Sequence, residues 1–537
     1  MSNPINSNLH LIRNANKGNL DSIFQLYENY SSSENEEDRA VAGGYLECLK
    51  TELAKGTLII DSMELRSFRR FEDLKINFET DLTVIVGDNG AGKTSILESI
   101  SKILSWFNND LLKENSTGKP IKDVDVNVNE KDYSEISATL KIDAKRKFSV
   151  GLARPVAGRP KTTDSYLKEI RLLANIHRVV SYHTDLDLPL MAYYPVDRGS
   201  EKVVSKNDNE KTSSDRASTR FDAVKKALDG TGIFTGFIKW FIELSNLSEG
   251  AISSEKQSLE DEVSVLEKLI LDVYQEKSPS EDDIYVIKLG EKKEELLGLS
   301  DDSFVDFYKR QLGIITKAIE TLIPDISNIH IDRSSGKAEL ILESLGSRVN
   351  IEQVSKGQQT MIALVADLTT KLVMLNPDAK EPLNGKGIVI IDEIDLHLHP
   401  SWQQRVVLDL QRTFPNIQFI ISTHSPQVLS TVDARCIRKI ATNEKGAIIV
   451  STPKFQTKGV ASSNILAKIM GTNSIPENVE EARWVRSFYE YLAIGNREEA
   501  NDVLEKLIKH FGKSHPVIDE CNGQIRIFEM KARLGGV

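Results

Sequence analysis

The apolar positions of this chain fall into two rhythms. Three short unbroken runs, Leu82–Val86, Ile388–Ile391 and Phe419–Ile421, have the length of a strand, the pattern of strands buried on both sides of a sheet. Elsewhere apolar residues recur every three or four positions, which predicts helices with one buried stripe. Ile96, Leu97 and Ile100 do so directly after the first run, and the stretch Met361–Leu368 does so before the second. Between them, Leu259, Val263, Leu266, Ile270 and Val273 mark one more stripe, too short for a long coiled-coil arm and suited to a lid or dimer contact. Both ends are helical in pattern: residues 15–27 near the start, then Trp484, Phe488, Tyr491 and Leu492, and after Gly495 a stripe of Ala500, Leu504 and Leu507. Buried strands that feed helices predict an α/β fold, here with a helical insertion and helical N- and C-terminal regions.

Composition narrows the class. At 537 residues the chain has room for about three domains and a large core. Cys48, Cys436 and Cys521 are odd in number and far apart, which predicts reduced thiols in the cytoplasm and neither disulfides nor zinc. No run reaches the ~18 consecutive apolar residues of a membrane span, and no basic-then-apolar signal opens the chain. The net charge of −11 speaks against nucleic-acid binding by the surface as a whole. Locally, residues 141–178 hold ten basic against three acidic residues, a balance of +7 that could follow a phosphate backbone or could equally be a solvated face. Residues 255–302 carry fifteen acids against six lysines, −9, and the polar stretch Ser200–Thr219 before them reads as a loop.

The chemistry begins between the first buried run and its helix. Gly87, Asp88, Asn89, Gly90, Ala91, Gly92, Lys93 and Thr94, followed by Ser95, form a complete phosphate-binding loop in the strand-to-helix context it requires. Gly90 and Gly92 let the backbone turn its N–H groups inward, and the helix N-terminus adds partial positive charge. Lys93 would reach the β- and γ-phosphates, and the Thr94 hydroxyl would ligate magnesium. The second run ends in Asp392 and Glu393: Asp392 is placed to hold magnesium through water, and Glu393 to polarise a water attacking the γ-phosphate. Ser355 and Gly357 precede the helical stretch 361–368 and so predict an anion-friendly helix N-terminus. His424 closes the third run, about thirty residues after Glu393, and reads as a γ-phosphate sensor.

This order of P-loop, serine-glycine signature, Asp-Glu strand and histidine resembles the ABC-type ATPase heads of the structural-maintenance and RecF-like group, and Ser62–Phe71 looks like the first strands of those heads. The resemblance implies a P-loop NTPase head that binds ATP and Mg2+, dimerised so that Ser355 and Gly357 of one head meet the γ-phosphate held by the other. One departure stands out: such heads carry a glutamine loop, yet no glutamine occurs from Thr94 to Ser200. The run Met191–Arg198 occupies its place and resembles overcoming-lysogeny-like ATPases, which makes Tyr194 and Arg198 site candidates, although paired tyrosines also commonly just pack. Residues 15–27 resemble a tetratricopeptide-like half repeat.

The region after His424 shows neither the acid cluster of a Toprim nuclease nor an HNH signature, so any nuclease is expected on another polypeptide. Taken whole, with its helical preface, Toprim-free head and Gly459–Gly471 segment before a helical tail, the chain resembles the PtuA-type ATPases of the Septu antiviral system in their retron-linked form. That resemblance implies a partner HNH nuclease, PtuB, and a reverse transcriptase with its multicopy single-stranded DNA, acting in abortive infection. The expected plan is a tetratricopeptide-like region at 1–56, a first head lobe at 57–200, a helical lid at 201–330, a second lobe at 331–455 and a partner-binding helical region at 456–537. Two other readings stay open: a non-hydrolysing, ATP-dependent scaffold, and a RecF-like DNA-repair ATPase.

Overall fold

The computed structural model describes residues 4–130, 132–158, 163–196, 220–225, 227–230, 233–248, 254–274, 285–286, 288–290, 292–293, 302–444, 446–472 and 478–533. Asp197, Arg198, the stretch 200–219, and Arg159 and Lys161 of the basic segment lie outside the described residues, as does the side chain of Val273. Two compact units form, Met1–Gly459 and Val460–Val537.

The first unit opens with three helices, Pro4–Ala15, Leu20–Ser31 and Glu36–Ala54; Asn19 and Asn35 cap the second and third by accepting from Ser22 N and Glu37 N. Thirteen strands follow among the described residues: β1 (Ile59–Phe68), β2 (Phe71–Asn77), β3 (Leu82–Val86), β4 (Tyr133–Lys141), β5 (Lys147–Pro155), β6 (Leu190–Tyr194), β7 (Ile326–Asp332), β8 (Glu339–Ser344), β9 (Ser347–Asn350), β10 (Gly387–Ile391), β11 (Ile417–Ser422), β12 (Ile437–Thr442) and β13 (Ile448–Ser451). They build a six-stranded sheet in the order β13-β12-β3-β11-β10-β6, a four-stranded sheet β2-β1-β4-β5 and a three-stranded sheet β7-β8-β9. The expected boundary at residue 330 falls inside β7 (Ile326–Asp332).

The three apolar runs are β3, β10 and β11, and every residue of these strands is buried. All three run parallel, together with β6 and β12, while β13 is antiparallel to β12. Parallel strands bring their carboxyl ends to one edge, where α/β sheets carry their ligands. The helix Lys93–Leu112 leaves β3 and is buried along almost its whole length, packing on the six-stranded sheet and against β4 and β5 of the other. Gln418 of β11 joins the two sheets directly: its Nε2 donates to Ile60 O and its Oε1 accepts from Ile60 N, both at 2.9 Å. This is the expected α/β P-loop head.

Several described cations of the basic segment 141–178 are paired with acids. Lys141 pairs with Asp61, Arg146 with Asp143 and Glu52, Arg154 with Asp123, and Arg178 with Glu114, all but Asp143 lying outside the segment. Part of its positive balance along the sequence is therefore offset by acids that the fold brings in from elsewhere. All three cysteines are free. No helix among the described residues is long and apolar enough to cross a membrane.

His177, on the helix Lys168–His183, is buried; its Nδ1 donates to Leu173 O at 2.8 Å and its ring meets Phe107 edge-on. Burial pushes its pKa down to about 4 from 6.5. A folded-state pKa below the unfolded one gives stability that is complete above about pH 6.5 and drains away as pH falls through 4, on the order of 3 kcal/mol in all. Urea unfolding midpoints of the wild type should therefore fall between pH 7 and 4.5. His177→Leu should flatten that part of the slope, and an unchanged slope in the variant would assign it to other groups.

Candidate functional site

The loop after β3 is held open by its glycines. Gly90 and Gly92 have φ of 75° and 100°, and a Cβ on Gly92 would overlap the Phe71 ring that covers it from the β1–β2 hairpin. Lys93 is buried, and its Nζ donates to Gly87 O at 2.9 Å and Asp88 O at 3.1 Å. Burial, the largest influence, lowers its pKa, while the carboxylates of Glu393, Asp392, Asp88 and Asp395 pull the other way. A buried cation held on two backbone carbonyls at the start of a long helix is what a polyphosphate would meet here.

The second half of the site comes from the ends of β10 and β11. Thr94 Oγ1 donates to Asp392 Oδ2 at 2.7 Å, closing a gap of 298 residues in sequence. Asp392 is fully buried, its N–H donates to Tyr194 O at 2.8 Å, and Ser422 donates to its other carboxylate oxygen. Glu393 follows at a φ of 44°, in the left-handed region. Asp395 Oδ1 accepts from Thr423 Oγ1 at 2.6 Å and from the backbone N of His424 at 3.3 Å, so His424 is tied to the Asp392–Asp395 turn. The structure thus brings Lys93, Thr94, Asp392, Glu393 and His424 to one sheet edge. Among the described residues no group of three or more His, Cys, Asp and Glu is placed to hold a metal, so a magnesium ion here would rest on the hydroxyl-carboxylate pair Thr94 and Asp392 and on phosphate and water oxygens.

Ser355 caps the helix Lys356–Leu375 in a capping box: its hydroxyl accepts from Gln358 N at 3.3 Å, and Gln358 Oε1 accepts from Ser355 N at 3.0 Å. Ser355 is exposed, whereas Gly357 is buried against the backbone of the turn after β10, where a Cβ would overlap His397 O. The signature is therefore mounted on the turn that follows Glu393 in the same chain.

Tyr194 is accounted for by packing. It is fully buried at the end of β6, its hydroxyl donates to Asp367 Oδ2 at 2.7 Å, and Lys371 pairs with the same carboxylate. It ties the edge of the sheet to the signature helix. Four residues that the sequence did not single out also shape the site: Ser422, Asp395, Arg70 beside Gly90, and Arg69. Arg69 donates to Asp125 Oδ1 at 3.0 Å and pairs with Glu98 on the P-loop helix. A two-residue turn, Arg69-Arg70, between strand-like runs is the signal that could have pointed to the hairpin.

Known proteins resemble this chain over most of its length. The AAA ATPase domain family covers residues 59–429, from β1 to just past His424. The chain is 32% identical to the Retron Vc95 probable ATPase of Vibrio cholerae serotype O1 biovar El Tor over 514 residues, 94% of this chain and 96% of that one. It is 23% identical to the Septu protein PtuA of Bacillus thuringiensis over 473 residues, 86% of this chain and 96% of the relative. An Smc head domain from Pyrococcus furiosus is similar at 17% identity and a TM-score of 0.39, covering 74% of this chain and 96% of that structure. The chain belongs to the AAA ATPase domain family and, within it, to the retron-associated ATPases related to Septu PtuA.

Proposed function

We propose that this chain binds and hydrolyses ATP as a head-to-head dimer, and that its nucleotide state gates a partner HNH nuclease in a retron-linked antiphage complex. The observation that carries the nucleotide part is the Thr94–Asp392 hydrogen bond, which joins the P-loop and the carboxylate strand into one site beside Lys93. Lys93 and the loop amides of residues 87–95 hold the phosphates, and Thr94 and Asp392 hold magnesium. Magnesium, when bound, neutralises the charge that builds on the phosphate oxygens. Glu393 takes the proton of the attacking water, and His424, fixed through Asp395, faces the γ-phosphate. Ser355 and Gly357 serve the site of the second head.

The partners follow from kinship, since the relatives carry the names of a retron and of the Septu system. On this reading the nuclease is PtuB, and a reverse transcriptase with its multicopy single-stranded DNA holds the pair inactive until infection. The helices of the second unit and the tetratricopeptide-like start are the protein-contact regions. Expression with the genomic neighbours, followed by affinity purification, tests this: the nuclease, the reverse transcriptase and its DNA should copurify in fixed ratio. Recovery of the ATPase alone, with neither partner encoded beside it, would leave a RecF-like ATPase as the function to pursue.

A further inference from the structure

Ser422 stands at the carboxyl end of β11, fully buried, paired with Ile85 of β3 and one residue beyond the last β10–β11 pair, Ile391 and Ile421. It makes three hydrogen bonds to three consecutive residues. Its hydroxyl donates to Asp392 Oδ1, the same oxygen accepts from Glu393 N at 2.8 Å, and its carbonyl accepts from Ile394 N at 3.1 Å. Between the two clamped amides lies Glu393, at a φ of 44°. A non-glycine residue keeps a left-handed φ only where its surroundings fix it, and φ sets the direction in which the side chain leaves the backbone. Here a single residue fixes that φ from both sides.

The hydroxyl is also the only part of Ser422 that addresses both carboxylate-bearing residues at once. A hydroxyl has one hydrogen and can still accept. Giving the hydrogen to Asp392 leaves the oxygen to receive the Glu393 amide, so the direction of one bond determines the other. The Asp392–Glu393 pair is thereby locked as a unit to β11, whose next residues are Thr423 and His424.

We propose that Ser422 is a positioning residue for hydrolysis, holding the Asp392–Glu393 turn so that the Glu393 carboxylate meets the attacking water. The proposal rests on the reading that Glu393 assists hydrolysis. In that step the water oxygen bonds to Pγ, the bond from Pγ to the β–γ bridging oxygen breaks, and the water proton passes to Glu393. Ser422 touches neither water nor phosphate and acts through the glutamate.

The test compares wild type, Ser422→Ala, Glu393→Gln and the double variant in the full-length chain, measuring ATP turnover, ATP affinity and amide hydrogen exchange. Ser422→Ala should lower kcat roughly 10- to 100-fold, with KM held within about threefold, the size of effect a small misplacement of a reacting group produces. The Glu393 amide should exchange faster while Ile394, bonded to the Ser422 carbonyl, stays protected. The double variant should be no slower than Glu393→Gln, since the two residues act on one step. Losses that multiply in the double variant, an unchanged kcat, or a raised KM at full kcat would each overturn the proposal. Full turnover in Glu393→Gln would instead overturn the assignment of Glu393 itself, and the proposal with it. If Ser422→Ala does not fold, Ser422→Cys, which keeps nearly the volume and loses the strong donor, carries the same comparison.

Discussion

Glu393→Gln is expected to lower ATP turnover at least about 100-fold while ATP affinity stays within about threefold of wild type. The asymmetry follows from which groups meet the ground state. On the proposed mechanism Lys93 and the loop would bind phosphate whether or not water attacks, and Thr94 and Asp392 are bonded to each other at 2.7 Å independently of Glu393. Glu393, as proposed, would act only as the water loses its proton. Glutamine keeps the shape and the backbone turn and removes the base. Steady-state phosphate release with equilibrium nucleotide binding checks this, and unchanged release would mean that another group activates the water. The same variant also separates gating by turnover from scaffolding by bound ATP. If Glu393→Gln keeps nuclease toxicity in cells and Lys93→Ala loses it, bound ATP is sufficient; if both lose it, turnover is required.

What could be seen in the sequence was whatever is local. The P-loop and the Asp-Glu pair announce themselves because each packs an apolar run and its polar terminus into fewer than fifteen residues, and the parallel sheet then brings those termini together. Ser422 and Asp395 were invisible for the opposite reason. Their partners lie about thirty residues away, and a serine at a strand end or an aspartate in a turn has no pattern of its own. Tyr194 drew attention as a stand-in for the missing glutamine, yet its hydroxyl is committed to Asp367, 173 residues on. The basic segment was only partly legible, because a balance summed along a window leaves out acids such as Glu52, Asp61 and Asp123 that the fold sets beside it. Ion pairs of this kind are long-range facts; motifs are short-range ones.

Lys93→Ala and Ser355→Glu, each inactive alone, are expected to restore turnover when combined in one heterodimer. The reason is symmetry. In a two-fold pair of heads, the P-loop of one chain and the signature of the other make each site, so one composite site collects both lesions and the other has none. Ser355 is suited to the test because it is exposed at the start of its helix, where a carboxylate would face the γ-phosphate of the second head. Losing its cap bond costs about 1 kcal/mol, small beside the stability of a domain. Gly357 would be the poorer choice, since any side chain there collides with the His397 carbonyl and disturbs the turn after Glu393 in the same chain. Heterodimers isolated through two different affinity tags should recover up to about half of wild-type turnover, one intact site of two. If the signature served its own chain's P-loop, both sites of the heterodimer would carry a lesion and nothing would be recovered. Because Gly357 rests on the turn that follows Glu393, recovery would also mean that each head's signature is mounted on its own catalytic turn while acting on its neighbour's nucleotide, a direct physical route by which hydrolysis in one site reaches the other.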